Sequence, residues 1–318
     1  MVAARLPMFR IPSIIAGRMG SLKCVLSMMI LLGQATAAQT TPATRVGVDF
    51  SHVAIPLDPA TFSAIATLAF LRTEFGGFEE RLAYRTSSDT NYFYYGRDNF
   101  LEFLNSPERM PVGSTQLAFV VGRPGDLHVA VDALLVQRPR GIAYSLNFRQ
   151  LGAESVANFY RARIRPAVQP PERPGNAQST TLSTDIIERV PGFLLRFDQS
   201  FPPDSVGVTN VQYLARRWKP SGYLRSVTGV TVAADSTDAI ALAGDLSVLG
   251  YDVRRAADTI IAARRGFALK LLPATSTRRG VLSIRMAIQR PKEGQRVYRF
   301  GSRSILRFEN DSTASWTF

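Results

Sequence analysis

The chain has 318 residues, of which 46% are hydrophobic and 20% charged, a length and balance that suit two globular domains of about 100–150 residues each. Its formal charge is +13, and its single cysteine excludes a disulfide framework, and any metal site built from several thiolates.

Residues 1–38 read as a secretory signal peptide. Arg18 and Lys23 precede an apolar run over residues 25–32, and Ala35, Thr36, Ala37 and Ala38 offer small residues for cleavage near Ala38. The run is far shorter than the ~20 residues that span a bilayer. Met1, Met8 and Met19 are all possible starts, and an uncleaved anchor is the competing reading. Cys24 lies inside this segment, so the mature chain is expected to carry no thiol and to be exported, periplasmic or secreted, with no transmembrane span.

Removing Arg5, Arg10, Arg18 and Lys23 takes the charge from +13 to +9. Residues 39–206 hold 16 basic and 17 acidic groups, whereas residues 207–318 hold 18 and 8. The basic C-terminal third can attract an anionic envelope surface through its summed field. Its arginines are scattered pairs such as Arg216-Arg217 and Arg264-Arg265, with no nucleic-acid motif, so no nucleic-acid partner is expected.

A β-branched strand opens the mature chain around residues 48–56 and contains His52, one of two histidines. Asp58 followed by Pro59 starts a helix running to about Phe75, closed by Gly76-Gly77. Strands follow over residues 78–86, 91–95 and 99–104. The βαβββ order then begins again: a strand over 114–121, a helix from Asp126 through about Gln137, and strands near 142–148, 158–164 and 193–197. Residues 166–184, rich in Pro, Gln, Ser and Thr, read as a surface loop, and 210–218 as a short helix. A third copy has a strand at 227–233, a helix at 235–249 and strands at 252–258, 259–263 and 267–272. A fourth, over 281–318, lacks its helix and ends in a hairpin across Asn310-Asp311.

Successive strand side chains point to opposite faces. On this basis His52 shares a face with Phe50 and Ala54, Glu102 with Phe100 and Leu104, and Gln116 with Ala118, while Arg196 stands opposite Phe193, Leu195 and Phe197. Four strands thus each place one polar group away from the helix-packing face. Tyr92 and Tyr94 also share one face and are candidate ligand-lining residues.

These repeats, together with the closing stretch VYRFGSRSILRFENDSTASWTF, resemble the vicinal-oxygen-chelate superfamily, the glyoxalase-like proteins, and an exported bacterial branch of it. The resemblance implies an α+β fold in which βαβββ modules pair into two half-barrels: residues 39–206, with modules 48–106 and 114–200, and residues 207–318, with modules 226–273 and 281–318. It implies one divalent metal (Zn, Ni, Fe or Mn) held by residues on the first and last strands of each module, here His52, Glu102 and Gln116. Arg196, at the fourth position, cannot ligate and would hold an anionic substrate group or pair with Glu102. His128 falls in a helix and does not complete a two-histidine iron site. The matching positions of the second barrel (Gly229, Lys270, Ile284 or Arg285, and Arg307) hold no metal set.

The functions that follow are a metal-dependent isomerase or lyase acting on vicinal oxygens with Glu102 moving a proton, a metal-free small-ligand-binding protein, or an envelope-associated protein using the basic barrel. Glutathione-dependent chemistry is disfavoured for an exported chain. No nucleophile elbow, phosphate-cradling glycine loop or HExxH sequence occurs.

Overall fold

A computed structural model describes residues 46–82, 90–105, 110–137, 141–151, 154–164, 182–195 and 208–318. The expected signal peptide, with Cys24, and Arg196 lie outside the described residues, as do residues 166–181 of the expected loop. No helix among the described residues is long and apolar enough to cross a membrane.

The first sheet is built from β1 (Asp49–Pro56), β2 (Gly77–Leu82), β3 (Thr90–Tyr95), β4 (Phe100–Leu104), β5 (Thr115–Val120), β6 (Ile142–Leu151), β7 (Glu154–Ile164) and β8 (Leu182–Arg189), in the order β2-β3-β4-β1-β5-β8-β7-β6. The second contains β9 (Leu224–Ala234), β10 (Asp252–Ala256), β11 (Thr259–Arg264), β12 (Phe267–Pro273), β13 (Gly280–Ile288), β14 (Val297–Phe300), β15 (Ser304–Phe308) and β16 (Thr313–Thr317), in the corresponding order β10-β11-β12-β9-β13-β16-β15-β14. Each sheet joins two modules through their first strands, β1 with β5 and β9 with β13, giving the two half-barrels expected from the repeats. In three modules a helix returns the chain so that first and last strands run parallel, as for β1 with β4, β5 with β8 and β9 with β12. The fourth has no helix between β13 and β14, and β13 pairs antiparallel with β16.

Three helices cover the apolar faces: α1 (Pro59–Thr67), α2 (Asp126–Gln137) and α5 (Ser236–Val248). Two short ones, α3 (Pro191–Leu195) and α4 (Asn210–Leu214), lie in the connection between the sheets. Asp58 caps α1 through Thr61, as its sequence indicates. That helix is shorter than expected, ending at Thr67 with Leu68 extended, and a π-helical turn over Leu71–Phe75 carries the chain to β2. Gly250, at φ +88°, ends α5 in a conformation that strains any residue with a Cβ.

The apolar faces of both sheets share one core. Trp316 of β16 is fully buried against Phe103 and Tyr94 of the first sheet, at ring distances of 4.9 and 6.4 Å. Phe50 stacks on Phe267 at 4.0 Å. Asn99 clamps the sheets: its amide donates to the Val227 carbonyl at 2.9 Å and its Oδ1 accepts from the Val227 N–H at 2.6 Å. Residues 44–318 accordingly form one compact unit.

Two strand expectations change. A register shift between Phe50 and His52 breaks the alternation of β1, so Phe50 lies in the core with Val53 and Ile55, on the face opposite His52. The last strand of the second module is β8, beginning within the expected loop, and not residues 193–197. Leu182, Thr184 and Ile186 give β8 a buried side, whereas Pro191 sets a helical first turn that buries Phe193 and Leu194 against Val208, Tyr213 and Leu214.

Candidate functional site on the concave face of the first sheet

The register of the first sheet builds a polar surface opposite the core. One row across it runs Glu79, Phe93, Glu102, Ala54, Gln116, Ser183, and the next Tyr95, Phe100, His52, Ala118, Asp185, Arg163. Phe93, Tyr95 and Phe100 belong to a small apolar cluster with Phe193, Tyr213 and Leu214, so α3 and α4 pack into part of the concavity.

His52 and Glu102 meet, with Nε2 3.9 Å from Oε2. The imidazole stacks on Phe100 at 4.2 Å, and its Nδ1 lies 3.1 Å from Ser51 Oγ, so a proton held on Nδ1 leaves the Nε2 lone pair facing Glu102. Asn91 Nδ2 donates to Glu102 Oε1 at 2.9 Å. Burial, reinforced by the positive charges of Arg189 and Arg81, lowers His52 to about 3, keeping it neutral. Burial raises Glu102 to about 7 against the pull of Arg81.

Asp185 was hidden from the sequence reading, yet register places it with the other three. In the first module His52 pairs with Phe100, and Glu102 stands two residues further along β4. In the second, Gln116 pairs with Ser183, and Asp185 stands two residues further along β8. Asp185 therefore occupies the position expected for Arg196. Gln116 Nε2 donates to Asp185 Oδ2 at 2.8 Å, and Arg163 grips both Asp185 oxygens at 2.8 and 3.0 Å. The only sequence signal for Asp185 was one acid set among alternating Leu182, Thr184 and Ile186.

Tyr92 and Tyr94 do not join this group. Both face the core, Tyr92 stacked on Phe62 at 4.5 Å and Tyr94 fully buried; their alternates Phe93 and Tyr95 face the concavity. His128 is exposed on α2, away from the site.

An arginine-rich zone, also unforeseen, adjoins the polar rows. Glu79 accepts from Tyr95 OH at 2.6 Å and from Arg81 at 2.9 and 3.3 Å, pairs with Arg149, and lies 3.7 Å from Arg217. Burial pushes Glu79 up, but Arg81, Tyr95 and Arg149 together hold it down at about 2. Arg189, 4% exposed, lies over the Tyr213 ring at 3.6 Å.

Donor chemistry on this face fits a divalent metal: a neutral imidazole, two carboxylates and an amide oxygen stand at equivalent positions of four adjacent strands. Ser51 on Nδ1 and Asn91 on Oε1 are the outer partners that orient such ligands. Among the described residues no three His, Cys, Asp or Glu side chains are grouped so as to hold a metal ion, and Asp185 is engaged by Arg163. A cation would bind there in competition with that guanidinium.

No curated protein matches the sequence. A family model described as "Family of unknown function (DUF5829)" matches residues 50–318. Among solved structures, a hypothetical protein from Staphylococcus aureus aligns over 84% of this chain and 97% of its own, at 10% identity and TM-score 0.47. A xylose isomerase-like TIM barrel/4-hydroxyphenylpyruvate dioxygenase fusion protein aligns over 79% of this chain at 15% identity and TM-score 0.38, with 37% of the fusion spanned. A mutant of 4-hydroxymandelate synthase from Streptomyces coelicolor aligns over 74% of this chain and 64% of its own, at 11% identity and TM-score 0.34.

Proposed function

The chain belongs to DUF5829, a family of unknown function, and we propose that its first half-barrel is a divalent-metal-dependent small-molecule site of the isomerase or lyase type, in an exported protein. The observation that carries the proposal is the equivalence of His52, Glu102, Gln116 and Asp185 on the inner strands β1, β4, β5 and β8. When bound, a metal held by these residues supplies Lewis-acid polarisation of vicinal oxygens.

The chain's own groups supply the rest. His52 stays unprotonated because it is buried beside Arg81 and Arg189. Glu102, a buried carboxyl raised to about 7, is assigned the transfer of a proton from a bound ligand and back. Asn91 fixes its other oxygen. Phe100, stacked on His52, shields the imidazole from water.

The test is zinc titration of chelator-stripped protein, beside Asp185→Asn and Gln116→Ala. Saturable binding at one equivalent, weakened roughly tenfold or more in either variant as loss of a ligand or its outer partner entails, supports the site. Equal affinity in all three proteins sinks it.

A second reading rests on the face of the second sheet opposite the core, the counterpart of the site-bearing face of the first. Lys270, Arg285, Arg299 and Arg307 are all exposed there and alternate with the core-facing Leu269, Ile284, Tyr298 and Leu306. Such a face suits attachment to an anionic envelope surface, and it would act alongside the first half-barrel.

A further inference from the structure

Beside the proposed metal site, guanidiniums outnumber the carboxylates that pair with them among the described residues. Three guanidiniums, Arg81, Arg149 and Arg217, converge on the single carboxylate of Glu79. A fourth, Arg189, is almost wholly buried and has no carboxylate partner among the described residues. Its Nη2 reaches only Ser51 Oγ and Asn210 Oδ1, at 3.4 and 3.5 Å, and its Nε has no hydrogen-bond partner. Arg189 and Arg217 both lie over the Tyr213 ring, at 3.6 and 4.6 Å. Arg149 Nη1 is likewise buried without a partner.

Burying a guanidinium without a counter-charge is costly, and here several share one acid. They also border an open space. A cavity of about 350 Å³ is lined by Arg149, Arg217 and Glu79 on its polar side and by Tyr95, Phe78 and Leu194 on its apolar side. That volume lies within the usual range of small-molecule pockets. Guanidiniums match carboxylate and phosphate oxygens two at a time, and the aromatic and leucine side chains suit a compact apolar body.

We propose that this cavity is an anion subsite: Arg149 and Arg217 hold the carboxylate or phosphate head of a small organic ligand whose apolar body lies against Tyr95 and Leu194, while Arg189, which shares the Tyr213 ring with Arg217, adds positive field. The proposal rests on the reading of the first half-barrel as a small-molecule site and names its ligand class. No covalent step is involved. Glu79 positions the arginines, and Tyr95 positions Glu79.

The experiment is calorimetric titration of the full chain with phenylacetate, phenyl phosphate and the neutral phenylacetamide. Both anions, or one of them, are expected to bind at least tenfold more tightly than the amide, and the tighter anion identifies the head group. Arg149→Met should abolish that preference, and Arg149→Lys, which keeps the charge but not the paired donors, should retain only part of it. Unfolding curves establish that each variant is folded; if Arg149→Met is not, Arg217→Met takes its place. Equal binding of the amide and the anions, an unchanged preference in a folded variant, or no binding of any probe at 10 mM overturns the proposal (a concentration limit corresponding to about 3 kcal/mol of affinity). Metal content measured on the same samples separates the two readings. Anion preference without metal leaves the subsite standing and removes the metal site, whereas metal without anion preference does the reverse.

Discussion

Replacing Glu79 by Gln removes the one charge around which the arginine cluster is assembled. The side chain is 24% exposed, and its carboxyl is held from 4.5 down to about 2. A depression of that size corresponds to about 3 kcal/mol of stability at neutral pH. A depressed acid contributes fully above its unfolded value and loses the contribution as pH falls through its folded value. The window is therefore pH 4.5 down to about 2. Within it the unfolded chain binds more protons than the folded one, so stability falls with falling pH by up to ~1.4 kcal/mol per unit. Urea unfolding of wild type and Glu79→Gln at pH 7, 4 and 3 reads this directly. A deficit of about 3 kcal/mol at pH 7 that narrows towards pH 3 is the expected result. A deficit that is equal at both ends, or absent at pH 7, refutes the view that Glu79 is the cluster's counter-ion.

Two further outcomes follow from other parts of the molecule. Asn99→Ala removes both hydrogen bonds between its side chain and Val227, leaving buried backbone groups unpaired; a loss of about 2 kcal/mol is expected in urea unfolding, and a change near zero would mean that this pair of hydrogen bonds does not help to hold the sheets together. Arg285→Gln with Arg307→Gln, on the exposed face of the second sheet, should reduce salt-sensitive retention on phosphatidylglycerol vesicles without altering ligand binding in the first half-barrel. Unchanged retention removes that face from consideration as an attachment surface.

Much of the architecture was legible in the sequence because each module announces itself locally. Asp58-Pro59 marks a helix start, and the alternation of Leu101 and Phe103 against Glu102 assigns the faces of β4. The candidate site was legible only in part. His52, Glu102 and Gln116 sit on strands with clear periodicity. Asp185 lies beside a long Pro- and Ser-rich stretch that obscured β8, and Phe193, Leu194 and Leu195 offered an equally apolar but false strand. Phe50 was misplaced because a register shift is a property of strand pairing, which alternation along one strand does not report. Tyr92 and Tyr94 were correctly assigned to one face, but only the assembled sheet shows that face to be the core. The arginine cluster could not have been read at all: Glu79 and Arg81 come from β2, Arg149 from β6, Arg189 from the end of β8, and Arg217 from the segment after α4. Nothing short of tertiary pairing brings them together.

Whether His52, Glu102, Gln116 and Asp185 form one metal site is decided by elemental analysis of the protein purified without chelator, beside His52→Ala and Glu102→Ala. Near-stoichiometric divalent metal is expected in the wild type, with its loss in both variants while their unfolding curves remain cooperative. Wild-type protein that stays metal-free after incubation with zinc, nickel, manganese and anaerobic ferrous iron would contradict the assignment.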